Sequence, residues 1–312
     1  MASQDAVIRT EDLTRTFDQV IGVNALSLRV HQGEIFGLVG PDGAGKTTTI
    51  RLLAAVMDPT EGEASVLGYD TVREAESIKR HIGYMAQRFN LYRDLSVWEN
   101  LNFFADVFQM TGEARRGRLE RLLQFARLSE FRHRRAEDLS GGMQKKLALA
   151  CTLIHRPHIV FLDEPTTGVD PLSRREFWDI LAELHVQGVT LFISTPYMDE
   201  AERCSRVGLM YRGEMITCDA PTQVKAMIQG ELITLWPTQV RRAREILQGL
   251  PDILEVQIFG DQLRVFTGDV EGTIDQIHEA LGAHDIGLQD VQRGEPRMEE
   301  AFISLIRQQM ER

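Results

Sequence analysis

The chain has 312 residues, a hydrophobic fraction of 43% and a formal net charge of −11; this is length for two domains with buried cores, and an acidity that argues against nonspecific nucleic-acid binding through the whole surface. Its apolar residues come in short runs, none near the roughly 18 needed to cross a bilayer, and Met1–Ala6 has neither the basic segment nor the apolar core of a secretory signal, so the expectation is a cytosolic protein. Cys151, Cys204 and Cys218 are too scattered for a disulfide framework or a metal site and read as reduced thiols.

In chain order, Val7–Phe17 alternates as an edge strand does and Ala25–Val30 alternates strictly, which predicts two antiparallel strands. Phe17 closes the first of them and reads either as a platform for a purine ring or as a plain core or turn aromatic. The apolar run Glu34–Val39 then leads into Gly40-Pro41-Asp42-Gly43-Ala44-Gly45-Lys46-Thr47-Thr48, and Thr49–Ala55 has helical composition. Strand, glycine loop and helix in that order, with the spacing G-x-x-x-x-G-K-[ST], predict a cradle of backbone N–H groups for phosphates at a helix N-terminus. Lys46 would reach the β- and γ-phosphates, and the Thr47 hydroxyl would ligate Mg2+.

Gly62–Gly68 reads as a further strand of the small antiparallel sheet, and Ile78–Gln87 as a strand ending on Gln87, whose side-chain oxygen could face Mg2+ or an attacking water. Residues 95–136 look helical, with Ser96 as cap and Glu113–Phe131 at helical spacing, and form an insertion running to about residue 150. Arg115, Arg116, Arg118, Arg121, Arg127, Arg132, Arg134 and Arg135 gather there without an aromatic ladder, which reads as a solvated helix face rather than a nucleic-acid site.

Asp138–Ala150 places Ser140 as an N-cap and leaves the amides at Gly141 and Gly142 uncovered by side chains, which makes either a second phosphate-binding helix end or a Gly-Gly turn before an ordinary helix. The apolar strand His158–Leu162 ends in Asp163 and Glu164. Beside a phosphate loop in a parallel sheet, the first carboxylate would organise Mg2+ and the second would polarise the attacking water. A turn at Gly168–Pro171, a helix from Leu172 to Gln187, the strands Val189–Thr195 and Arg206–Tyr211, and a hairpin through Arg212–Glu214 complete a mainly parallel α/β unit.

Taken together, these pieces resemble the nucleotide-binding subunit of an ATP-binding-cassette transporter over residues 6–230. Gly40–Thr47 looks like the Walker A motif, Gln87 like the Q-loop glutamine, Leu139–Gln144 like the family signature, Ile159–Glu164 like Walker B with its catalytic glutamate, and Gly168–Asp170 like the D-loop. The resemblance implies a P-loop NTPase cassette with an antiparallel β subdomain and a helical insertion, ATP and Mg2+ as cofactors, Glu164 as the catalytic residue, and Thr47, Gln87 and Asp163 around the metal. It also implies a second cassette, a homo- or heterodimer partner whose Walker motifs would face this chain's Ser140, Gly141 and Gly142. Integral-membrane permease subunits would dock on the insertion and on the loop from Arg88 to Leu95, at the cytoplasmic face of the inner membrane.

One residue departs from the family pattern. Where a switch histidine is commonly found after Ser194-Thr195, this chain has Pro196, which has no side-chain donor or acceptor. Slowed hydrolysis is the expectation, and a hydrolysis-impaired cassette that serves as a binding partner is the alternative to a working ATPase. A soluble cassette ATPase acting on ribosomes or DNA fits less well, because a second cassette and a long coiled-coil insertion are both missing from the sequence.

From Glu231 the pattern restarts as β-α-β-β-α-β: Leu232–Trp236, Thr238–Leu247, the hairpin Ile253–Phe259 and Gln262–Thr267, Ile274–Leu281 and Gly287–Val291. Residues 231–312 carry 8 Arg, no Lys and 15 Asp or Glu, a balance of −7, which leaves −4 for residues 1–230. The expectation is a small ferredoxin-like domain, regulatory, dimer-stabilising or simply a structural cap. Its ending, Glu295–Ile303, resembles the tail of cassette subunits of ABC-2 type drug and polysaccharide exporters.

Overall fold

The computed structural model describes residues 6–88 and 91–310. Phe89 and Asn90, within the loop expected to dock on membrane subunits, lie outside the described residues, as does the start of the chain. A first compact unit runs to Pro221 and a second begins at Thr222.

The first unit opens with β1 (Ala6–Phe17) and β2 (Val20–His31), which pair antiparallel. After β3 (Ile35–Val39) and α1 (Lys46–Leu53), β4 (Glu61–Val66) joins the far side of β1 and β5 (Tyr69–Asp70) follows it, giving the sheet order β2-β1-β4-β5. The chain then forms α2 (Ala75–His81), β6 (Ile82–Met85), α3 (Val97–Val107), α4 (Gly112–Phe125), α5 (Gly141–Thr152), β7 (Ile159–Asp163), α6 (Pro171–Val186), β8 (Thr190–Thr195), α7 (Met198–Ala201), β9 (Arg206–Tyr211) and β10 (Glu214–Asp219). A second sheet has the order β10-β9-β3-β8-β7-β6, parallel throughout except for β10 at its edge. Every residue of β3, β7 and β8 is buried, which is why these strands are continuous apolar runs and not alternating ones. Between the two sheets, Ile8, Leu13, Val23 and Leu28 pack with Phe36, Leu38, Ile50, Phe161 and Phe192 in one core.

Two expectations need correction. The segment read as a strand from Ile78 begins as the helix α2, and the strand is only Ile82–Met85, so Gln87 lies two residues past its end. Ala75–Glu76–Ser77 precedes a lone buried Ile78 and three basic residues follow it, a pattern that supports one helical turn with cations at its C-terminus. The helix expected over Glu113–Phe131 stops at Phe125 and is followed by a short 3-10 turn at Ser129–Phe131. In the insertion, Arg132 lies 3.6 Å over Trp98, Arg134 lies over Phe131, Arg115 pairs with Asp106 and Arg116 with Glu120. Arg118 departs from the solvated-face expectation: it is half-buried and donates to the carbonyls of Leu153 and Ile154 at the end of α5.

The turn α8 (Pro221–Ala226) leads into β11 (Glu231–Pro237), α9 (Val240–Leu247), β12 (Ile253–Phe259), β13 (Gln262–Thr267), α10 (Val270–Ala283), β14 (Leu288–Gly294) and α11 (Met298–Met310). The sheet order is β12-β13-β11-β14, antiparallel throughout. Its core joins Ile233, Leu235, Val256 and Val265 of the sheet to Ala243, Leu247, Ile277 and Leu281 of α9 and α10. Among the described residues no helix is long and apolar enough to cross a membrane.

Candidate functional site

The loop between β3 and α1 builds one side of a cleft. Gly45 caps α1 in the left-handed region at φ 106°, and a Cβ there would lie 2.3 Å from the carbonyl oxygen of Gly22. Gly40 is equally committed, since its Cβ would fall 2.2 Å from the Met210 carbonyl oxygen. No side chain caps α1, so its first-turn amides point into the loop as an anion cradle. The surrounding cleft, of about 370 Å³, is lined by Phe17, Val20, Ile21 and Gly22, by Asp42–Thr48, and by Gln87 and Glu164. Phe17 is 39% exposed, with the Arg15 guanidinium 4.9 Å from its ring centre.

Lys46 is 3% exposed and turns its ammonium onto the carbonyls of Gly40 (2.8 Å) and Pro41 (3.0 Å) and to 3.2 Å from Glu164 Oε1. The other Glu164 oxygen accepts from Gln87 Nε2 at 2.8 Å and from the Thr167 hydroxyl at 3.3 Å. Glu164 has φ 46°, a strained conformation for a residue with a side chain. Its N–H is held by Ser194, through the carbonyl at 3.2 Å and the hydroxyl at 3.0 Å.

Asp163 is 1% exposed. Its Oδ1 accepts from Ser194 (2.7 Å) and Thr47 (3.0 Å), while Oδ2 is buried without a hydrogen-bond partner. Burial pushes its carboxyl above the usual aspartate range, and the two hydroxyls pull the other way. A dry carboxylate oxygen with no donor in reach is costly. With the hydroxyl of Thr47 beside it and Gln87 lining the same cleft, the oxygens on offer fit a hard divalent cation such as Mg2+.

Ser140, Gly141 and Gly142 are not in this cleft. Ser140 caps α5 by accepting from the Met143 N–H at 3.3 Å, and both Ser140 and Gly141 are exposed. Gly141 lines a different cavity, of about 450 Å³, with Gln87, Lys145 and Thr167–Val169. The D-loop segment leads into α6, where Asp170 accepts from the Ser173 N–H and Pro171 starts the helix. Pro196 follows β8, whose last residue, Thr195, donates to Glu200 at 2.6 Å. Glu200 is 1% exposed and also accepts from Thr166, with Arg174 at 3.7 Å.

Sequence reasoning missed Ser194, Thr167 and Lys145. A hydroxyl at the end of the apolar run Leu191-Phe192-Ile193 was the available signal for Ser194. For Lys145 there was none.

A model of the ABC transporter family matches residues 23–167. The chain is 41% identical over 97% of its length to the probable multidrug ABC transporter ATP-binding protein YbhF of Escherichia coli (strain K12), and it spans about half, 52%, of that protein. It is 34% identical to the Nod factor export ATP-binding protein I of Burkholderia pseudomallei (strain 1710b), over 98% of both chains. Among solved structures, the dimeric ATP-binding cassette MJ0796 bound to ADP and Pi matches with a TM-score of 0.63 at 27% identity, covering 68% of this chain and 98% of that one. Identity of 34% over nearly the full length of an export ATP-binding protein, a cassette fold and this cleft lead to one conclusion: the chain belongs to the ABC transporter family.

Proposed function

We propose that this chain binds and hydrolyses ATP as one of two cassettes that close on the nucleotide and drive export through separate membrane subunits. The observation that carries the reading is the double pairing in one cleft: Glu164 with Lys46 and Gln87, and Asp163 with Thr47 and Ser194. Phosphate oxygens entering the loop compete for Lys46, and its departure frees a Glu164 oxygen to accept a proton from the attacking water. Gln87, already hydrogen-bonded to Glu164, holds that carboxylate in line, and Phe17 offers its face to the purine. Thr47, Asp163 and Gln87 would hold Mg2+, which neutralises charge on the phosphates. Ser140 and Gly141, exposed at the start of α5, with the neighbouring Gly142, would serve the nucleotide held by a second cassette, homo- or heterodimeric.

The names of the relatives support an exporter, and the peripheral place at the cytoplasmic face of the membrane follows from that reading. We take residues 6–230 as the cassette and 231–312 as a regulatory or dimer-stabilising domain. The insertion, with the loop from Arg88 to Leu95, would meet the permease subunits. Replacing Glu164 with Gln keeps the shape and the Gln87 contact, so ATP binding should persist while turnover falls about a hundredfold or more. Turnover equal to that of the unaltered protein would remove the reading.

A further inference from the structure

The two consecutive lysines of α5 point to different neighbours. Lys146 pairs with Glu176 and fastens α5 to α6. Lys145, one residue earlier, instead donates to the main-chain carbonyl of Gln87 at 3.0 Å. From there a continuous line of contacts runs to the phosphate loop: Gln87 Nε2 to Glu164 Oε2 at 2.8 Å, Glu164 Oε1 to the Lys46 ammonium at 3.2 Å, and Lys46 to the carbonyl of Gly40 at 2.8 Å.

Helical spacing puts the origin of this line on the exposed start of α5. Gly141 and Lys145 are four residues apart and so share a helix face. Both line the cavity that Gln87, Thr167 and Gly168 close from the other side. Thr167 touches Glu164 as well, at 3.3 Å, so two residues of that wall hold Glu164.

We propose that Lys145 is a positioning residue: by gripping the Gln87 main chain it holds Gln87 against Glu164, so that the start of α5 and the phosphate cleft of the same chain move together. The proposal rests on the ATPase reading above and adds a residue that touches neither phosphate nor metal in that reading. A displacement at Ser140–Gly142, where a second cassette would press, is passed through Lys145 to the carboxylate that acts on water. The ammonium is required for its donor, not for its bulk.

The test compares Lys145→Met, which keeps the stem and loses the donor, with Lys145→Arg, which keeps a donor. Three quantities are read on the full chain: steady-state ATP hydrolysis, binding of a fluorescent ATP analogue, and amide hydrogen exchange over residues 82–88 without nucleotide. The Met variant is expected to lose about tenfold in kcat with little change in analogue affinity, and the Arg variant to recover most of it. Exchange over residues 82–88 should quicken in the Met variant only. Unchanged kcat and exchange in the Met variant, or equal losses in both variants, would overturn the proposal. Should the unaltered protein hydrolyse no faster than Glu164→Gln, the ATPase reading fails, and the exchange experiment still decides whether Lys145 holds the loop.

Discussion

The glycine-flanked beginnings of α1 and α5 are unlike. The start of α1 is enclosed: no side chain caps it, Lys46 lies inside its loop at 3% exposure, and Glu164 and Asp163 stand opposite. The start of α5 is open, with Ser140 spending its hydroxyl on the Met143 N–H and with Ser140 and Gly141 exposed. Both present amides to an anion. Among the described residues, the first has carboxylates of its own chain beside it, whereas the cavity at the second is lined by Arg88, Arg93 and Lys145 and by no acid. On the proposed reading, a helix end with free amides becomes a reaction site only where the sheet brings acids to it.

The largest effect expected from testing this contrast lies beside the enclosed end. Pro196 follows Thr195 and has no side-chain donor or acceptor, so Pro196→His should raise ATP hydrolysis by the assembled transporter, by up to about a hundredfold. An unchanged rate would mean that the residue after Thr195 does not limit this cleft.

At the open end, Ser140→Ala should cut steady-state hydrolysis by about tenfold while leaving binding of an ATP analogue to the isolated chain unchanged, because Ser140 is not in its own cleft. Equal losses of binding and hydrolysis would break the distinction between the two ends. The same change removes a helix cap worth about 1 kcal/mol, so a slightly lower melting temperature accompanies it.

The smallest effect concerns the buried acid itself. Burial raises the Asp163 carboxyl above its unfolded value, so its ionised form is penalised in the folded protein, and stability is lost as pH rises through that raised value. Asp163→Asn, melted in a chelator without nucleotide, should gain a few degrees at neutral pH. The gain should vanish once the pH drops below the ordinary aspartate value of about 4. A gain that persists there, or no gain at neutral pH, would show that the charge is not strained.

Much of the enclosed site was legible because its parts are contiguous. Gly40–Thr48 carries its own strand, turn and helix, and Asp163-Glu164 ends an apolar strand, so residue order alone announces phosphate and acid chemistry. The β-α-β-β-α-β order of residues 231–312 was legible for the same reason: its periods of 2 and 3.6 are local. The extent of the strand before Gln87 was not, since Ile78 serves a helix turn as well as a strand and only packing chose.

Amino-acid order by itself determined which groups this protein has that suit phosphate, metal and water. Tertiary structure alone decided which of them meet. Parallel register sets Asp163 opposite Ser194 across β7 and β8, and that one alignment gives Ser194 its hold on both the Asp163 oxygen and the Glu164 N–H. Lys145 reaches Gln87 across 58 residues, and Thr47 reaches Asp163 across 116. Separations of that size leave no local period to read, because they depend on how strands align and how α5 lies against the loop after β6. At the start of α1 this alignment supplied the carboxylates, and at the start of α5 it left Ser140 and Gly141 exposed.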